Sequence, residues 1–502
     1  MSKIRKQSLI STIWIYVGFA VGALNTFLFA KQGFFETADY GLATTLNQIG
    51  QLLTSLSALG CFGLLLKFYP YYNNRLAKKN NELLTITLFI TLAGFAIIAV
   101  IGFFAQPIIA KKFMAKSPEL VHYFYYAYLL GLGYLLYSIF EYQGWNLRLQ
   151  LFTNILKEVI LRLFVLLLII GKLIGWLSFA QFLLAYSCQY LFIAGIIMYK
   201  LYSLGELIIV LRISSVTQKF KKVMLKYLSY GFVGSVVSTL KMVIDILVLS
   251  SFSGLKAAGV YTLASFVATI LQAPFRSLVS ITTPLLSQAW KEKNYTEIDR
   301  LYKRSSINLL IFSLLIFGFI FINFQPFIGI LQLNNDYLLG KNVLLLLCLA
   351  NIIDMGTGIN SQIIGTSTLW RFEFFTNIIL AIIITTCTYF FTKYLFGISG
   401  PAVALLLGTT VYNGIRIIFL YQKYRFFPFT KYTVYSLLIL APIIIICKLI
   451  VQYLPLYVGL IIANVTMLIS FGVAIVKGNL SPDIKPILNN LLKKVGLRFT
   501  IR

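Results

Sequence analysis

Long apolar runs separated by short polar breaks recur along the whole chain. Most of the runs are about 18–25 residues long, which is the length that an α-helix needs to cross a bilayer. Short segments of alternating hydrophobicity, which build transmembrane barrels, are absent from the sequence. The pattern predicts an all-α polytopic membrane protein with about fourteen transmembrane helices, here called spans one to fourteen, at residues 8–31, 40–66, 83–105, 120–142, 154–171, 178–200, 227–252, 258–286, 305–325, 341–364, 374–394, 399–421, 432–450 and 456–476.

Basic residues are concentrated in alternate breaks between these spans. Four such breaks lie at 67–80, 212–226, 291–304 and 421–431, and the end of the chain is also basic. Because cytoplasmic loops of membrane proteins are enriched in Lys and Arg, this bias and the even number of spans predict that both termini are cytoplasmic. The segment KKFMAK at 111–116 is an exception, since it places three lysines on the opposite side.

Composition supports a membrane protein and narrows its chemistry. Hydrophobic residues make up 59% of the chain, whereas soluble domains average about 45–50%. The 43 Lys and Arg outnumber the 15 Asp and Glu, but their position in the loops explains the excess without nucleic-acid binding. Five cysteines lie singly in apolar runs and His122 is the only histidine. We therefore expect no disulfide, no metal site and no cofactor.

Two similar segments indicate an internal repeat. FFETADYGLATTL at 34–46 follows span one, and FSGLKAAGVYTLASF at 252–266 follows span seven. Because six spans and a linker separate them, the repeats would be parallel, related by an axis along the membrane normal. The predicted domains are an N-terminal six-helix lobe at 1–200, a basic cytoplasmic linker at 201–226, a second six-helix lobe at 227–425, and two extra helices with a basic cytoplasmic tail at 426–502.

The linker at 201–226 is basic and amphipathic. Leu204, Leu207, Ile208 and Leu211 would share one face of a helix, which is typical of a helix that lies in the membrane interface. The simpler interpretation is a hinge-like connection between the lobes. The tail from residue 481 onwards is open to the same interfacial interpretation.

With these features the chain resembles the multidrug/oligosaccharidyl-lipid/polysaccharide (MOP) exporter superfamily, and within it the polysaccharide or O-antigen flippase branch. The resemblance rests on the fourteen spans, on the opening KQSLISTIWIYVGFAVGALNTFLFAK, on FETADYGLAT and AGVYTLASF, and on the basic segment SQAWKEKNYTEIDRLYKRSS. It implies two six-helix lobes around a cavity, and alternating access in a bacterial inner membrane. It also implies a non-enzymatic flippase for an undecaprenyl-diphosphate-linked oligosaccharide, the repeat unit of O-antigen, capsule or exopolysaccharide. Polysaccharide polymerases or glycosyltransferases would be its partners, together with membrane lipids.

Charged side chains in the middle of membrane spans are costly, and they usually face a protein interior or a water-filled cavity. Arg162 in span five, Lys241 in span seven and Arg276 in span eight are candidates to bind the diphosphate, with carboxylate pairing or snorkelling as the alternative. Asp245 lies four residues after Lys241 on the same helical face, and Asp354 lies in span ten. Each aspartate is a candidate for coupling transport to H+ or Na+, or else a simple structural partner.

Uncharged polar residues at membrane depth form a second set of candidates. Asn25 in span one, and Asn47 and Gln51 in span two, have the chemistry to hydrogen-bond the sugars of the substrate. Hydrogen bonding between helices is the alternative for all three. Glu158 and Arg416 lie near the predicted cytoplasmic ends of their spans, and we expect them to pair or to snorkel.

Two other functions fit parts of the pattern. A multidrug exporter of the same superfamily would place carboxylates deep in its cavity for cationic drugs, whereas the deep charges here are mostly positive. A polytopic polysaccharide polymerase or glycosyltransferase would need large outside loops with catalytic residues, and the predicted outside loops are short. The sequence therefore favours the flippase.

Overall fold

The computed structural model describes the backbone of residues 3–483 and 486, without the side chains of residues 3–12, 276, 277, 280 and 370. The described chain is helical with short connections, and it contains no β-sheet. The predicted all-α polytopic fold is therefore confirmed. The side chain of Arg276 and most of the predicted interfacial tail lie outside the described residues.

Every predicted span coincides with one or more α-helices. Eleven of the described helices are long and apolar enough to cross a membrane, and a twelfth is obtained when one bent pair counts as a single span. Predicted spans four and five are helical as well, although they are not among these. The α-helices of the fourteen spans are Lys3–Ala30; Thr37–Ala58 with Cys61–Asn73; Leu83–Phe113; Tyr126–Asn146; Gln150–Ile155 with Leu161–Leu173; Phe179–Ser187 with Gln189–Ser203; Ser215–Phe252; Leu255–Thr269 with Ala273–Lys291; Tyr295–Ile330; Lys341–Gly356 with Asn360–Gly365; Trp370–Phe390; Gly400–Tyr424; Lys431–Tyr453; and Leu456–Lys477.

Several spans are interrupted where the backbone leaves α-helical geometry. Span two bends by 46° at Leu59 and Gly60, whose φ angles are 48° and 79°. Span ten breaks at Gly358, where φ is 67°, and a π-helical turn at Leu156–Ile160 interrupts span five. Such π turns are frequent at functional sites. The breaks in spans five and ten carry the polar side chains of two candidate sites described below.

Contacts divide the chain into two compact units, Met1–Thr262 and Leu263–Arg502. In the first unit, span seven packs against span two, so by its contacts it belongs with the first six spans. The predicted boundary between the six-helix lobes lies earlier, in the linker at 201–226. The two units are defined by contacts between residues, whereas the two lobes are defined by the internal sequence repeat. The lobes therefore remain a prediction.

Each unit has its own apolar core. In the first unit, the rings of Phe29, Phe35 and Phe182 pack together, with the Phe29 and Phe35 centroids 4.7 Å apart and those of Phe35 and Phe182 5.2 Å apart. This cluster attaches the turn after span one to span six. In the second unit, Tyr302 of span nine and Ile359 at the break of span ten are buried in one cluster. The break of span ten is therefore held inside the unit.

The two echoed segments contact each other within the first unit. Gly41 of the first segment and Gly259 of the second lie where spans two and eight cross. A β-carbon on Gly41 would lie 1.9 Å from the carbonyl oxygen of Leu255, and one on Gly259 would lie 2.1 Å from that of Thr37. Small residues allow helices to approach this closely in a membrane, so glycine is required at both positions.

The linker between spans six and seven runs as a non-helical strap over residues 204–214. Leu207 packs against the apolar clusters of the first unit. The backbone N–H of Val210 donates a hydrogen bond to Thr85 Oγ1 at 2.9 Å, and Lys78 forms an ion pair with Glu206. The interfacial helix at Leu204–Leu211 is not formed, because this segment directs Leu207 and backbone donors to the unit instead of to a membrane surface.

Glu82, at the start of span three, fastens the end of this strap. Its side chain is buried at 1% exposure, and its Oε1 accepts hydrogen bonds from the Ser214 backbone N–H at 2.9 Å and from Thr217 Oγ1 at 2.5 Å. Ser214 is also the N-cap residue of span seven. A carboxylate at a helix N-terminus interacts favourably with the helix dipole. Glu82 therefore fixes the point at which span seven begins.

Candidate functional site

The π-helical turn of span five positions Glu158 and Arg162 beside span one. The Arg162 Nη2 and Glu158 Oε2 atoms are 2.8 Å apart, and the two side chains are 30% and 28% exposed. A β-carbon on Gly22 of span one would lie 3.2 Å from the Arg162 guanidinium. Arg162 is thus paired with a carboxylate of its own helix. Such pairing is the alternative to diphosphate binding that the sequence predicted, but the side chain also stays partly accessible.

Asn25 lies at the same junction but uses the backbone of span five. Its Nδ2 donates a hydrogen bond to the carbonyl oxygen of Arg162 at 2.8 Å. Asn25 Oδ1 is buried and has no hydrogen-bond partner among the described residues. The side chain therefore joins the two helices through its nitrogen and leaves an acceptor unused.

Span two carries a row of amides that faces a pair of stacked tyrosines. Gln51 Nε2 donates to the Tyr134 hydroxyl at 3.0 Å, and the Tyr134 and Tyr190 rings stack with centroids 3.5 Å apart. Asn47 Oδ1 and Gln48 Oε1 are buried without a hydrogen-bond partner in the described part of the chain. Buried polar atoms are nearly always hydrogen-bonded, so these two acceptors are exceptions within span two.

Asp245 of span seven is buried at 9% exposure and belongs to a specific contact. Its Oδ2 accepts a hydrogen bond from the Tyr261 hydroxyl at 2.6 Å. Tyr261 is part of the second echoed segment, so the contact joins span seven to span eight within the first unit. Lys241 lies one helical turn before Asp245 and is half-buried.

In the second unit the structure buries an arginine that the sequence placed near a span end. Arg416 of span twelve is 1% exposed, and its guanidinium forms an ion pair with Glu373 of span eleven. The guanidinium carbon also lies 3.7 Å from the centroid of the Tyr412 ring. The pairing expected for Arg416 is present, whereas snorkelling is wrong, because the side chain is enclosed by spans ten to twelve.

A chain of amides connects Arg416 to Asp354, and we call these residues the span-twelve network. Arg416 Nη1 donates to Asn360 Oδ1 at 3.4 Å, and Asn360 Nδ2 donates to Asn413 Oδ1 at 2.8 Å. Asn413 Nδ2 then donates to Asp354 Oδ1 at 3.1 Å. Asn360 is the first residue after the break in span ten, so the break positions it between the two charged ends.

Glu373 is held by neutral donors as well as by Arg416. Ser361 Oγ donates to Glu373 Oε1 at 2.8 Å and Asn377 Nδ2 donates to the same oxygen at 3.0 Å. With both carboxylates ionised, Glu373 and Asp354 exceed the single charge of Arg416 by one negative charge. Because an uncompensated buried charge is costly, this network is chemically suited to take up one proton or one cation. Among the described residues, no group of three or more His, Cys, Asp or Glu is arranged to hold a metal ion.

No protein-family model matches the sequence, and no curated protein matches it. Among solved structures, a lipid II flippase, MurJ, in an inward closed conformation matches with a TM-score of 0.64 and 15% identity, over 94% of this chain and 99% of that one. An inward-facing multidrug resistance transporter of the MATE family, described as a member of the MOP superfamily, matches with a TM-score of 0.57 and 15% identity, over 81% and 94%. The chain therefore has the same fold as these two proteins.

Within this fold, the predicted site residues whose side chains the structure describes occupy four places. Asn25 contacts Arg162; Asn47 and Gln51 share one row; Lys241 and Asp245 share one helix face; and Asp354 ends the span-twelve network. The sequence missed Asn413 and Glu373 as members of that network. A signal was present, because Thr409, Asn413 and Arg416 of span twelve recur at helical spacing and form a polar stripe in an apolar helix.

Proposed function

We propose that this protein is a flippase that moves an undecaprenyl-diphosphate-linked oligosaccharide across a bacterial inner membrane by alternating access. The observation that carries the proposal is the pair of unpaired buried amide acceptors of Asn47 and Gln48, on the same helix as Gln51, in a chain with the fold of a lipid flippase. Sugar hydroxyls are donors, and unpaired buried acceptors discriminate in favour of ligands that supply such donors. Both termini would be cytoplasmic, and polysaccharide polymerases or glycosyltransferases would be partners.

The diphosphate of such a substrate needs cations at membrane depth. Arg162 is the first candidate, since its side chain is partly exposed and forms an ion pair with Glu158 of its own helix. Guanidinium groups bind phosphate oxygens in a bidentate manner, so a phosphate would compete with Glu158 for the same donors. Lys241 and Arg276 are proposed to act with it, as the sequence suggested.

The span-twelve network is proposed as the ion-coupling element. Its surplus negative charge, centred on Asp354, gives it the capacity to bind one cation, and Asp245 is a second candidate in the other unit. Coupling requires a group whose charge state favours one conformation over another. The carboxylate of Asp354, which lies in the interrupted span ten and accepts a hydrogen bond from Asn413, meets that requirement, because its protonation changes which hydrogen bonds Asn413 and Asn360 can make.

Complementation tests the flippase proposal. A flippase-null bacterium that carries the matching native glycan cluster would express wild type, Arg162→Ala, Arg162→Lys or Lys241→Ala at matched membrane abundance. We expect wild type to restore surface glycan and both alanine variants to reduce it about tenfold or more, since charged hydrogen bonds are among the strongest. Arg162→Lys should retain part of the activity, and Lys477→Gln, at an exposed lysine, should retain all of it.

One result would refute the flippase proposal, and a second would refute only the role that it gives to the cations. Failure of wild type to restore glycan, together with resistance to cationic drugs in the same cells, would assign the protein to multidrug export. Full activity of both alanine variants would show that Arg162 and Lys241 do not bind the substrate and have only a structural role.

A further inference from the structure

A groove between spans nine and ten of the second unit combines apolar walls with positive charge at one end. Its walls include aromatic and aliphatic side chains of both spans, and Gln325 and Lys341 also line it. The apolar residues include Phe317, Phe321, Phe324, Leu344 and Leu345. We call this the span nine–ten groove. Neither the predicted substrate residues nor the span-twelve network belongs to it.

Lys448 of span thirteen places a second ammonium group beside this groove. Its Nζ lies 3.8 Å from the centroid of the Phe321 ring, and its charge interacts with that of Lys341. Among the described residues neither lysine forms an ion pair with a carboxylate. Two like charges near an apolar groove, with no described carboxylate paired to either of them, create a site that favours an anion from outside.

The positions of the lysines match the geometry of a phospholipid. Lys341 is the first residue of its helix in span ten, and Lys448 lies five residues before the end of span thirteen at Tyr453. Because spans ten and thirteen run in opposite directions in the predicted topology, both ammonium groups lie at the same end of the unit. The aromatic walls extend from there along the spans. A phospholipid would place its head-group phosphate at the two lysines and an acyl chain along the phenylalanines. Basic pockets between membrane helices bind anionic lipids through the same kind of phosphate contact.

We propose that the span nine–ten groove binds one anionic phospholipid, with its phosphate between Lys341 and Lys448 and an acyl chain on Phe321. The inference is independent of the proposed flippase function. The recognising chemistry is a lipid phosphate, which a polyprenyl phosphate also contains, and the experiment distinguishes the two sources.

Lipid-dependent thermal stability of the purified full-length protein tests this site. The protein would be titrated in detergent with phosphatidylglycerol, phosphatidylcholine or undecaprenyl phosphate, and bound lipid would be counted by native mass spectrometry. We expect phosphatidylglycerol to raise the Tm and phosphatidylcholine to have little effect. Lys341→Gln and Lys448→Gln should each weaken phosphatidylglycerol binding about fivefold, because each basic residue near a membrane surface contributes a similar share of the attraction.

The matched control is Lys477→Gln, which removes an exposed lysine at the far end of span fourteen in the same unit and should leave the titration unchanged. If a lysine variant fails to purify, Phe321→Leu, which removes the aromatic face under Lys448, should still weaken binding. Equal stabilisation by phosphatidylcholine would overturn the proposal in favour of an unselective acyl groove. Stabilisation by undecaprenyl phosphate alone would overturn it in favour of the transported carrier, and unchanged binding in the variants would place the lipid elsewhere.

Discussion

Arg416 illustrates how a single side chain determines local electrostatics. It is a fully enclosed charge that contacts Glu373, Asn360 and the Tyr412 ring. Removing one partner of a buried ion pair costs more than the pair contributes, because the remaining charge is left uncompensated. Glu373 keeps neutral donors from Ser361 and Asn377, whereas Arg416 has only weak alternatives.

The loss of either charge in this pair should therefore destabilise the protein. We expect Arg416→Leu and Glu373→Gln each to lower the free energy of unfolding by about 3–5 kcal/mol. The double variant should be less destabilised than the sum, because neither charge is then left alone. Thermal unfolding of purified protein in detergent measures all three, and strictly additive losses would contradict a direct interaction.

Asp354 should behave differently, since it carries the surplus charge of the span-twelve network. Asp354→Asn removes that charge but keeps a side chain of the same shape beside Asn413. We expect the Tm to be unchanged or higher, while glycan export in the complementation assay falls strongly. Glu373→Gln is the matched comparison, because it also removes one negative charge but lowers the Tm. Normal export by Asp354→Asn would eliminate this aspartate as the coupling group.

At the scale of helices, close approach and attachment determine how the first unit is built. Spans two and eight cross at Gly41 and Gly259, where the backbone of one helix occupies the space of a side chain on the other. The strap at 204–214 lies against the same unit and ends at Glu82. Both features restrict how span seven and the first two turns of span eight can move relative to span two.

Adding one methyl group at the crossing should separate these helices. Gly41→Ala places a β-carbon on the Leu255 carbonyl oxygen, and overpacking of this kind costs about 1–3 kcal/mol. We expect a lower Tm and less surface glycan than wild type. The control is Gly195→Ala in span six, where nothing lies within 4 Å of an added β-carbon, and it should be neutral or slightly stabilising. Equal behaviour of the two variants would show that the crossing is not tight.

Removing the Glu82 carboxylate should release the strap. Glu82→Ala leaves Ser214 and Thr217 without their acceptor, and the loss of such a buried acceptor costs about 1–3 kcal/mol. We expect faster limited proteolysis within 204–214, with cleavage sites mapped by mass spectrometry. Glu119→Ala, which removes an exposed carboxylate, should be cleaved as wild type is. An unchanged rate for Glu82→Ala would mean that Leu207 and Thr85 hold the strap alone.

At the scale of the whole molecule, the arrangement of charges along the chain predicts the orientation in the membrane. Most basic breaks fall on one side, and the segment at 111–116 is the exception. The structure extends span three to Phe113, so Lys111 and Lys112 lie in its last turn. Cations there interact favourably with the C-terminal end of the helix, which accounts for lysines at that position without a change of orientation.

Cysteine accessibility tests this orientation. In a cysteine-free variant of the protein, Met114→Cys should react with a membrane-impermeant maleimide on intact cells, because it follows the outside end of span three. Asn81→Cys, at the other end of the same span, should react only after permeabilisation. The reverse pattern would place both termini outside the cytoplasm.

The sequence by itself determined the spans and the all-α class, because a bilayer requires each crossing segment to be long and apolar. Each span can therefore be recognised from its own consecutive residues. It also identified the echoed segments and the charge bias, and it predicted Asp354 as a site residue. Only the tertiary structure decided that Arg416 is buried, that Gly41 meets Leu255, and that the linker is a strap attached to Glu82. These facts depend on residues far apart in the chain whose backbones and side chains meet only after the helices pack, so no local periodicity encodes them.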